Sequence, residues 1–188
     1  MQKLRADFRE LIAALKTKRF KFVDETGLNL AFTRLYGRAA PGVRVVDSVP
    51  GDHGGNHTLV AAVGLQGVSA PWLIEGALNG ELFELWVREV LGPTLARGEL
   101  LFWDNLAAHK VAGVAVFLKE RGVRLIPLSP YSPDFNPIEK CWSKIKPFLR
   151  QAKARTVEAL LEALNQALET ITPADIRGWF RSCGYPVH

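Results

Sequence analysis

Cysteine and long apolar runs are both scarce in this 188-residue sequence, and their scarcity argues against several classes of protein. The two cysteines, Cys141 and Cys183, have apolar neighbours, which favours reduced, buried thiols over a disulfide framework. The first residues, MQKLRADFRE, are too charged for the apolar part of a secretory signal, and no apolar run approaches the ~18 residues of a membrane span. We therefore expect a soluble, cytoplasmic protein with no membrane partner.

The glycine-rich stretch 37–57 also lacks the features of a ligand-binding loop. It has no Gly-Lys-Ser or Gly-Lys-Thr ending, so it does not match a phosphate-binding P-loop. His53 and His57 lie in this stretch without the cysteine and histidine company of a zinc site. The sequence predicts a long irregular loop here.

What the sequence does contain is enough apolar material for one core, together with an excess of positive charge. A hydrophobic content of 48% over 188 residues suits a single domain spanning residues 1–188. The net charge is +5, and no acidic residue occurs between Lys140 and Val157. Such a run is usually a solvated helix face, and contact with nucleic acid is the other interpretation. The cations of this run are Lys140, Lys144, Lys146, Arg150, Lys153 and Arg155.

Hydrophobic periodicity predicts an α/β fold in which a mixed five-stranded sheet is flanked by helices. The first two strands are separated by a short gap, which favours an antiparallel hairpin. The predicted strands are 20–25, 28–37, 57–64, 99–103 and 123–127. The predicted helices are 2–16 at the N-terminus, 80–91, 106–122, 137–150 and a C-terminal extension of two helices over 156–182.

The stretch SPDFNPIEK, at residues 132–140, allows two interpretations of its glutamate. Asn136 suits the N-cap, Pro137 suits the first helical position and Glu139 falls at the third, which resembles a capping box. Alternatively, the side chain of Glu139 does not cap the helix but binds a ligand. Pro147, farther along the same helix, is expected to kink or shorten it.

Two other acids make the ligand interpretation stronger. Asp24 is predicted at the end of the first strand, and Asp104 follows the apolar strand 99–103. Carboxylates at the carboxyl ends of strands face the crevice in which open α/β sheets bind ligands. Hard divalent cations prefer such oxygen ligands, and a pair of them can promote phosphoryl transfer. Glu25 adjoins Asp24 on a strand, so its side chain should face away from such a site.

Three segments together resemble the signature blocks of a known family. FVDETG, FWDNLAAHK and LIPLSPYSPDFNPIEKCWSKIK are similar to those of the DDE transposases of the mariner-like bacterial insertion-sequence group, a group of DDE superfamily endonucleases. As in that group, 34 residues separate the second acid, Asp104, from Glu139. The resemblance extends from about Phe20 to Tyr185 and implies a ribonuclease-H-like fold with the first and fourth strands side by side.

The resemblance also implies a mechanism. Asp24, Asp104 and Glu139 would be the catalytic residues and would hold two Mg²⁺ ions, for which Mn²⁺ would substitute. The activity would be metal-dependent cleavage of DNA at the element ends and strand transfer to target DNA. Under this interpretation the Glu139 carboxylate is a metal ligand, and the position of Glu139 at the start of a helix fixes the direction of its side chain.

The same resemblance implies DNA as the partner, with salt-sensitive phosphate contacts. The candidate DNA-binding residues are Arg38, His109, Lys140, Lys144, Lys146 and Arg150. A helix-turn-helix segment, upstream or on another chain, would recognise the element ends, and a homodimer is left open. Two alternatives also remain: a non-catalytic DNA-binding or assembly remnant, and a ribonuclease-H-like nuclease without strand transfer.

Overall fold

Five strands form one mixed sheet within residues 2–51, 54–104, 112–130 and 132–187, the part of the chain that the computed structural model describes. The strands are β1 (Phe20–Asn29), β2 (Asn56–Gly64), β3 (Gly67–Glu75), β4 (Leu100–Trp103) and β5 (Arg124–Pro127). Their order across the sheet is β3-β2-β1-β4-β5. The pairs β1–β2 and β2–β3 are antiparallel, whereas β1–β4 and β4–β5 are parallel. The mixed sheet and the contact between its first and fourth strands are thus confirmed.

The predicted hairpin of strands 20–25 and 28–37 is wrong. A single strand, β1, continues through Gly27 and pairs with β2 along its length, from Lys21 to Asn29. The strand ends where the Asn29 side chain accepts a hydrogen bond from the Ala31 backbone N–H at 3.0 Å. The alternating pattern after residue 29 therefore does not form a strand, because a local asparagine turn takes the chain out of the sheet.

The strand missing from the prediction is β3. Pro71 lies within it, and proline normally argues against a strand because it cannot donate a ladder hydrogen bond. β3 lies at the edge of the described sheet, where proline is tolerated, and its register with β2 shifts between Val60 and Ala62. The predicted number of five strands is correct only because two errors cancel: β3 was not predicted, and the separate strand predicted at 28–37 does not exist.

Helices cover both faces of the sheet. They are α1 (Gln2–Ala13), α2 (Gly80–Leu85) with a π-helical continuation (Trp86–Leu91), α3 (Ala112–Glu120), α4 (Pro137–Ala152), α5 (Val157–Glu169) and α6 (Pro173–Ser182). α1 ends three residues before the predicted boundary at residue 16. The beginning of the helix predicted at 106–122 lies outside the described residues, which resume at α3. No described helix has the length and apolarity needed to cross a membrane.

Alternate residues of β1 and β4 belong to two different apolar layers. Phe22 and Phe102 stack with ring centroids 4.7 Å apart, in the layer that contains buried residues of α1, α4, α5 and α6. Val23 and Leu101 belong to the opposite layer, with α2, its continuation and α3. Because side chains alternate along a strand, the residue two places after Phe22, which still belongs to β1, returns to the α4 side of the sheet.

α4 continues through Pro147 to Ala152, so the expected shortening does not occur. Proline removes one helical hydrogen bond, but Ile145 and Leu149 on either side of it are buried in the core and hold the helix in place. α5 and α6 lie within the predicted extension 156–182, and each begins at a side-chain cap. The Thr156 hydroxyl accepts a hydrogen bond from the Ala159 N–H, and Thr172 forms a capping box with Asp175.

The prediction that the two cysteines are buried and do not form a disulfide is confirmed, because Cys141 and Cys183 are both buried and free.

Candidate active site

The parallel pair β1–β4 places two aspartates at the same level of the sheet. Phe22 pairs with Phe102, and two residues beyond each partner are Asp24 and Asp104. Neighbouring strands lie about 4.8 Å apart, so the backbone positions of the two aspartates are close, and the charge of Asp104 acts on the Asp24 carboxyl. Asp104 directly follows the end of β4, as predicted. Asp24, however, is not at a strand end, because β1 continues to Asn29.

α4 brings Glu139 to this side of the sheet. Ile138 is fully buried in the same layer as Phe22 and Phe102, and Glu139 is the next residue, partly exposed in the first turn of the helix. The first turn of a helix carries partial positive charge and unpaired N–H groups, so it favours nearby carboxylates. The three predicted acids thus belong to three elements that meet on one side of the sheet.

The capping-box interpretation of this helix start is wrong. Asn136 occupies the N-cap position, but its side chain makes no capping hydrogen bond. Its amide Nδ2 instead donates to Asp24 Oδ2 at 3.1 Å, across 112 residues of sequence. The sequence did not reveal this contact, because the same residue suits the N-cap. The proline that follows was no signal, since Pro173 follows Thr172 in the same way and Thr172 does form a side-chain cap.

The electrostatics of Asp24 reflect this crowding of acids. Burial is the largest cause that raises the pKa of the Asp24 carboxyl to about 8. The negative charges of Glu25, Glu139 and Asp104 act in the same direction. The Glu25 backbone N–H, which donates to Asp24 Oδ1 at 2.9 Å, acts against them. A carboxylate in this position is electrostatically unfavourable unless a positive charge joins it.

Two cations of α4 lie near these acids. Burial and the neighbouring Arg150 lower the pKa of the Lys146 ammonium, while the negative charges of Glu139 and Asp24 oppose the shift. The Arg150 guanidinium lies 5.1 Å from the centre of the Phe32 ring, just after β1. Glu139, Lys146 and Arg150 therefore share the helix face that borders the candidate site.

The other predicted DNA-binding residues have different surroundings. Lys140 and Arg38 are exposed. Lys144 Nζ donates to Thr170 O at 2.8 Å and to Asp175 Oδ2 at 2.6 Å, so its charge joins α4 to the start of α6. His109 lies outside the described residues. A DNA-binding role for these side chains remains a prediction.

The turn before α4 is held by both ends of the chain. The Tyr185 hydroxyl donates to the Phe135 carbonyl at 2.6 Å in a buried contact. From α1, Arg5 forms an ion pair with Asp134, and its guanidinium lies 4.5 Å from the centre of the Phe135 ring. The Asn136 N–H donates to the Pro133 carbonyl at 3.0 Å. These contacts fix the position of the residues that precede Glu139.

The donor set fits a hard divalent cation in its chemistry. Carboxylate and amide oxygens are the ligands that Mg²⁺ prefers, and Asn136 Oδ1 is a buried oxygen without a hydrogen-bond partner. In their present positions, no three His, Cys, Asp or Glu side chains among the described residues form a group that could hold a metal ion.

Comparisons with known proteins identify the family and the fold of the chain. The family model for DDE superfamily endonucleases matches residues 19–161. The Mos1 mariner paired end complex with Mn matches with a TM-score of 0.78 and 16% identity, over 97% of this chain and 58% of that chain. The catalytic domain of Mos1 mariner transposase matches with a TM-score of 0.64 and 14% identity, over 100% of this chain and 93% of that chain.

The Mos1 transposase catalytic domain with Raltegravir and Mg gives a TM-score of 0.70 at 14% identity, over 96% of this chain and 90% of that chain. This chain therefore has the ribonuclease-H-like fold of that catalytic domain. It spans 56% to 60% of the longer Mos1 chains found in the paired-end, strand-transfer and pre-cleavage complexes. A search among curated proteins returns no match.

Proposed function

The chain belongs to the DDE superfamily endonucleases, and on that premise we propose that it acts as the catalytic domain of a mariner-like insertion-sequence transposase. It would cleave DNA at the element ends and transfer the resulting 3′ ends to target DNA. The observation that carries this proposal is the proximity of the three acids. β1 pairs with β4 as far as Phe22 and Phe102, α4 packs on the same apolar layer as Phe22, and the charges of Asp104 and Glu139 both act on the Asp24 carboxyl.

We propose that these three carboxylates hold two Mg²⁺ ions and that Mn²⁺ can replace them. When bound, such a pair of divalent cations activates the attacking oxygen of a phosphoryl transfer and stabilises the leaving oxygen. The repulsion around Asp24 supports this assignment, because a cation would compensate it. Two structures with a related fold are the Mos1 mariner paired end complex with Mn and the same complex with Mg.

The protein's own residues would bind and orient the DNA. We propose that Lys146 and Arg150 contact the phosphates nearest the acids, since they share a face of α4 with Glu139. Lys140, Lys144, Arg38 and His109 are further candidates. A helix-turn-helix segment, upstream or on another chain, would supply recognition of the element ends. We further propose that the protein acts in the bacterial cytoplasm and is associated with the nucleoid when it is bound to DNA.

The test is replacement of Asp104 by Asn, which keeps the size of the side chain and removes its charge. We expect Asp104→Asn to lose Mg²⁺-dependent cleavage of element-end DNA while its folding and non-specific DNA binding stay close to those of the parent protein. Asp7→Asn, at an exposed position of α1, is the matched control and should cleave normally.

Three outcomes of this assay are informative. Undiminished cleavage by Asp104→Asn would refute the assignment of the site. Metal-dependent cleavage by the parent protein without joining of a pre-cut 3′ end to target DNA would identify a nuclease instead of a transposase. DNA binding without any metal-dependent cleavage by the parent protein would identify an assembly module.

A further inference from the structure

Asn136 is a buried polar residue at the junction between Asp24 and the helix that carries Glu139. It is 4% exposed, and its Nδ2 donates to Asp24 Oδ2 at 3.1 Å. Buried amides are normally hydrogen-bonded through both their oxygen and their nitrogen. Asn136 Oδ1 has no hydrogen-bond partner. The amide nitrogen of the side chain is therefore bonded to Asp24, while its amide oxygen makes no hydrogen bond.

This arrangement is not needed to start the helix. The backbone at Asn136 is extended (φ −107°, ψ 98°), as expected before a proline, and Pro137 provides the first helical residue. The Asn136 carbonyl accepts the first hydrogen bond, from the Glu139 N–H at 3.2 Å. Because the backbone and Pro137 begin α4 without help from the amide, the side chain is available for another role.

The carboxylate of Asp24 is held by two donors of different origin. The Glu25 N–H, from the same strand, donates to Oδ1 at 2.9 Å. Asn136, from the start of α4, donates to Oδ2. The two bonds together fix the rotation of the carboxylate, and the second one connects it to the helix turn that presents Glu139 three residues later.

The position of the amide is itself well defined. The Tyr185 hydroxyl holds the Phe135 carbonyl, and the Asn136 N–H donates to the Pro133 carbonyl at 3.0 Å. An amide group is planar, so once Nδ2 is bonded to Asp24 the direction of Oδ1 is also set. A buried acceptor without a partner is unfavourable, and a hydrated cation beside Asp24 would bring donors to this region.

We propose that Asn136 is a positioning residue that orients the carboxylate of Asp24 for binding of a divalent cation. The proposal rests on the proposed function of the site and deepens it. Partners that orient a metal ligand typically contribute about 10–100-fold in metal affinity or activity. Asn136 acts through Asp24, and the test therefore needs measurements that a purely structural residue would not change.

The test variant is Asn136→Ser. Serine is a good N-cap residue but is too short to hold Asp24, so helix initiation is preserved while the contact is lost. We expect Mn²⁺ affinity, measured by calorimetry on the DNA-free protein, to fall about 10–100-fold and kcat for cleavage to fall by a similar factor. KM for DNA should change less than about threefold, because the phosphate-binding cations are untouched.

Asn79→Ser is the matched control. Asn79 is the N-cap of α2, and its side chain makes a true capping bond, accepting from the Leu82 N–H at 2.9 Å. The same exchange there should leave Mn²⁺ affinity and cleavage unchanged. Equal metal affinity and equal kcat for Asn136→Ser and the parent protein would overturn the proposal.

A double-mutant cycle with Asp24→Ala separates positioning from simple structural support. Without metal, Asn136→Ser should lower the melting temperature of the parent protein more than that of the Asp24→Ala variant, since the partner is already absent there. Equal decreases in both backgrounds would show a structural role and overturn the proposal. If Asp24→Ala itself leaves Mn²⁺ affinity unchanged, the assignment of the site fails, which is a different result from a failure of Asn136 alone.

Discussion

At the scale of single residues, the side chain whose surroundings conflict most with its charge is Asp24. It is half-buried, it lies near Glu25, Glu139 and Asp104, and its pKa is raised to about 8. A group arranged in this way lowers the stability of the protein that carries it unless a ligand compensates. Burial and three like charges make the ionised form of Asp24 unfavourable, and the proposed cation would relieve this repulsion.

Asp24→Asn should increase the stability of the metal-free protein. It removes a half-buried negative charge, and its single amide oxygen keeps one of the two hydrogen bonds that Asp24 accepts, so we expect the free energy of unfolding to rise by roughly 1–2 kcal/mol at pH 8. Urea unfolding in the presence of EDTA would measure the change, with Asp7→Asn as control. The same variant should lose both cleavage and its stabilisation by Mn²⁺. A less stable metal-free variant would contradict this account of the repulsion.

Asp175 shows the opposite electrostatic behaviour. Its hydrogen bond with Lys144 is the largest cause that lowers the pKa of the carboxyl to about 2, and the capping bonds with Thr172 act in the same direction. Since the folded pKa lies below the unfolded value of 3.8, the stabilisation is complete above about pH 4 and is lost as the pH falls toward 2.

We therefore expect Asp175→Asn to reduce the dependence of unfolding free energy on pH between about 4 and 2. Guanidinium titrations at several pH values in this window would measure the slope. Glu162→Gln, at an exposed position of α5, is a suitable control. An unchanged slope in Asp175→Asn would show that the pair with Lys144 does not contribute.

At the scale of elements, α4 combines a buried side with a charged one. Ile138, Ile145 and Leu149 anchor it in the core, while Glu139, Lys146 and Arg150 border the candidate site. This division follows from helical periodicity, and the sequence was sufficient to predict it. Which partner each cationic side chain contacts was not predictable, because the contact depends on which element packs beside that side chain. Lys144 is an example, since α6 supplies its partner Asp175.

This difference predicts distinct consequences for two lysines of the same helix. Lys146→Ala should weaken DNA binding at low salt and reduce the slope of log affinity against log salt concentration by about 0.9, the amount expected for one lost phosphate contact. Lys144→Ala should mainly lower stability, because its charge is already paired. Salt-dependent binding titrations and urea unfolding of both variants would distinguish them. Equal slopes for Lys146→Ala and the parent protein would remove Lys146 from the DNA interface.

The sequence predicted the elements around the acids better than the sheet that holds them. The apolar strand 99–103, the helix after residue 136 and the caps at Thr156 and Thr172 are each specified by local chemistry. The extent of β1 and the existence of β3 depend on pairing with β2, which no local pattern specifies. The bond from Asn136 to Asp24 was hidden for the same reason, because it joins residues distant in sequence.

At the scale of the whole molecule, the two ends of the chain meet at the turn that precedes α4. Arg5 contacts Asp134 and the ring of Phe135, and Tyr185 holds the Phe135 carbonyl from the other end. Tyr185 also packs against Phe22, with ring centroids 5.0 Å apart. The position of Glu139 therefore depends on residues near both termini, although neither end belongs to the site.

Tyr185→Phe should test this dependence. The change keeps the ring and removes the buried hydroxyl, which leaves the Phe135 carbonyl without that donor. We expect a loss of about 1–2 kcal/mol in unfolding free energy and a weaker Mn²⁺ affinity. Urea unfolding and calorimetry would measure them, with Tyr36→Phe as control because Tyr36 is 89% exposed. Unchanged stability would show that this hydroxyl does not support the turn.

The bond between Tyr185 and Phe135 also bears on when the turn before Glu139 reaches its final position during synthesis. Asp24, Asp104 and Glu139 are all translated before Tyr185, yet the turn that presents Glu139 is not secured until that tyrosine is in place. A nascent polypeptide in which Tyr185 has not yet been translated would carry the three acids without this support. We therefore expect the turn before Glu139 to reach its final position only after Tyr185 has left the ribosome.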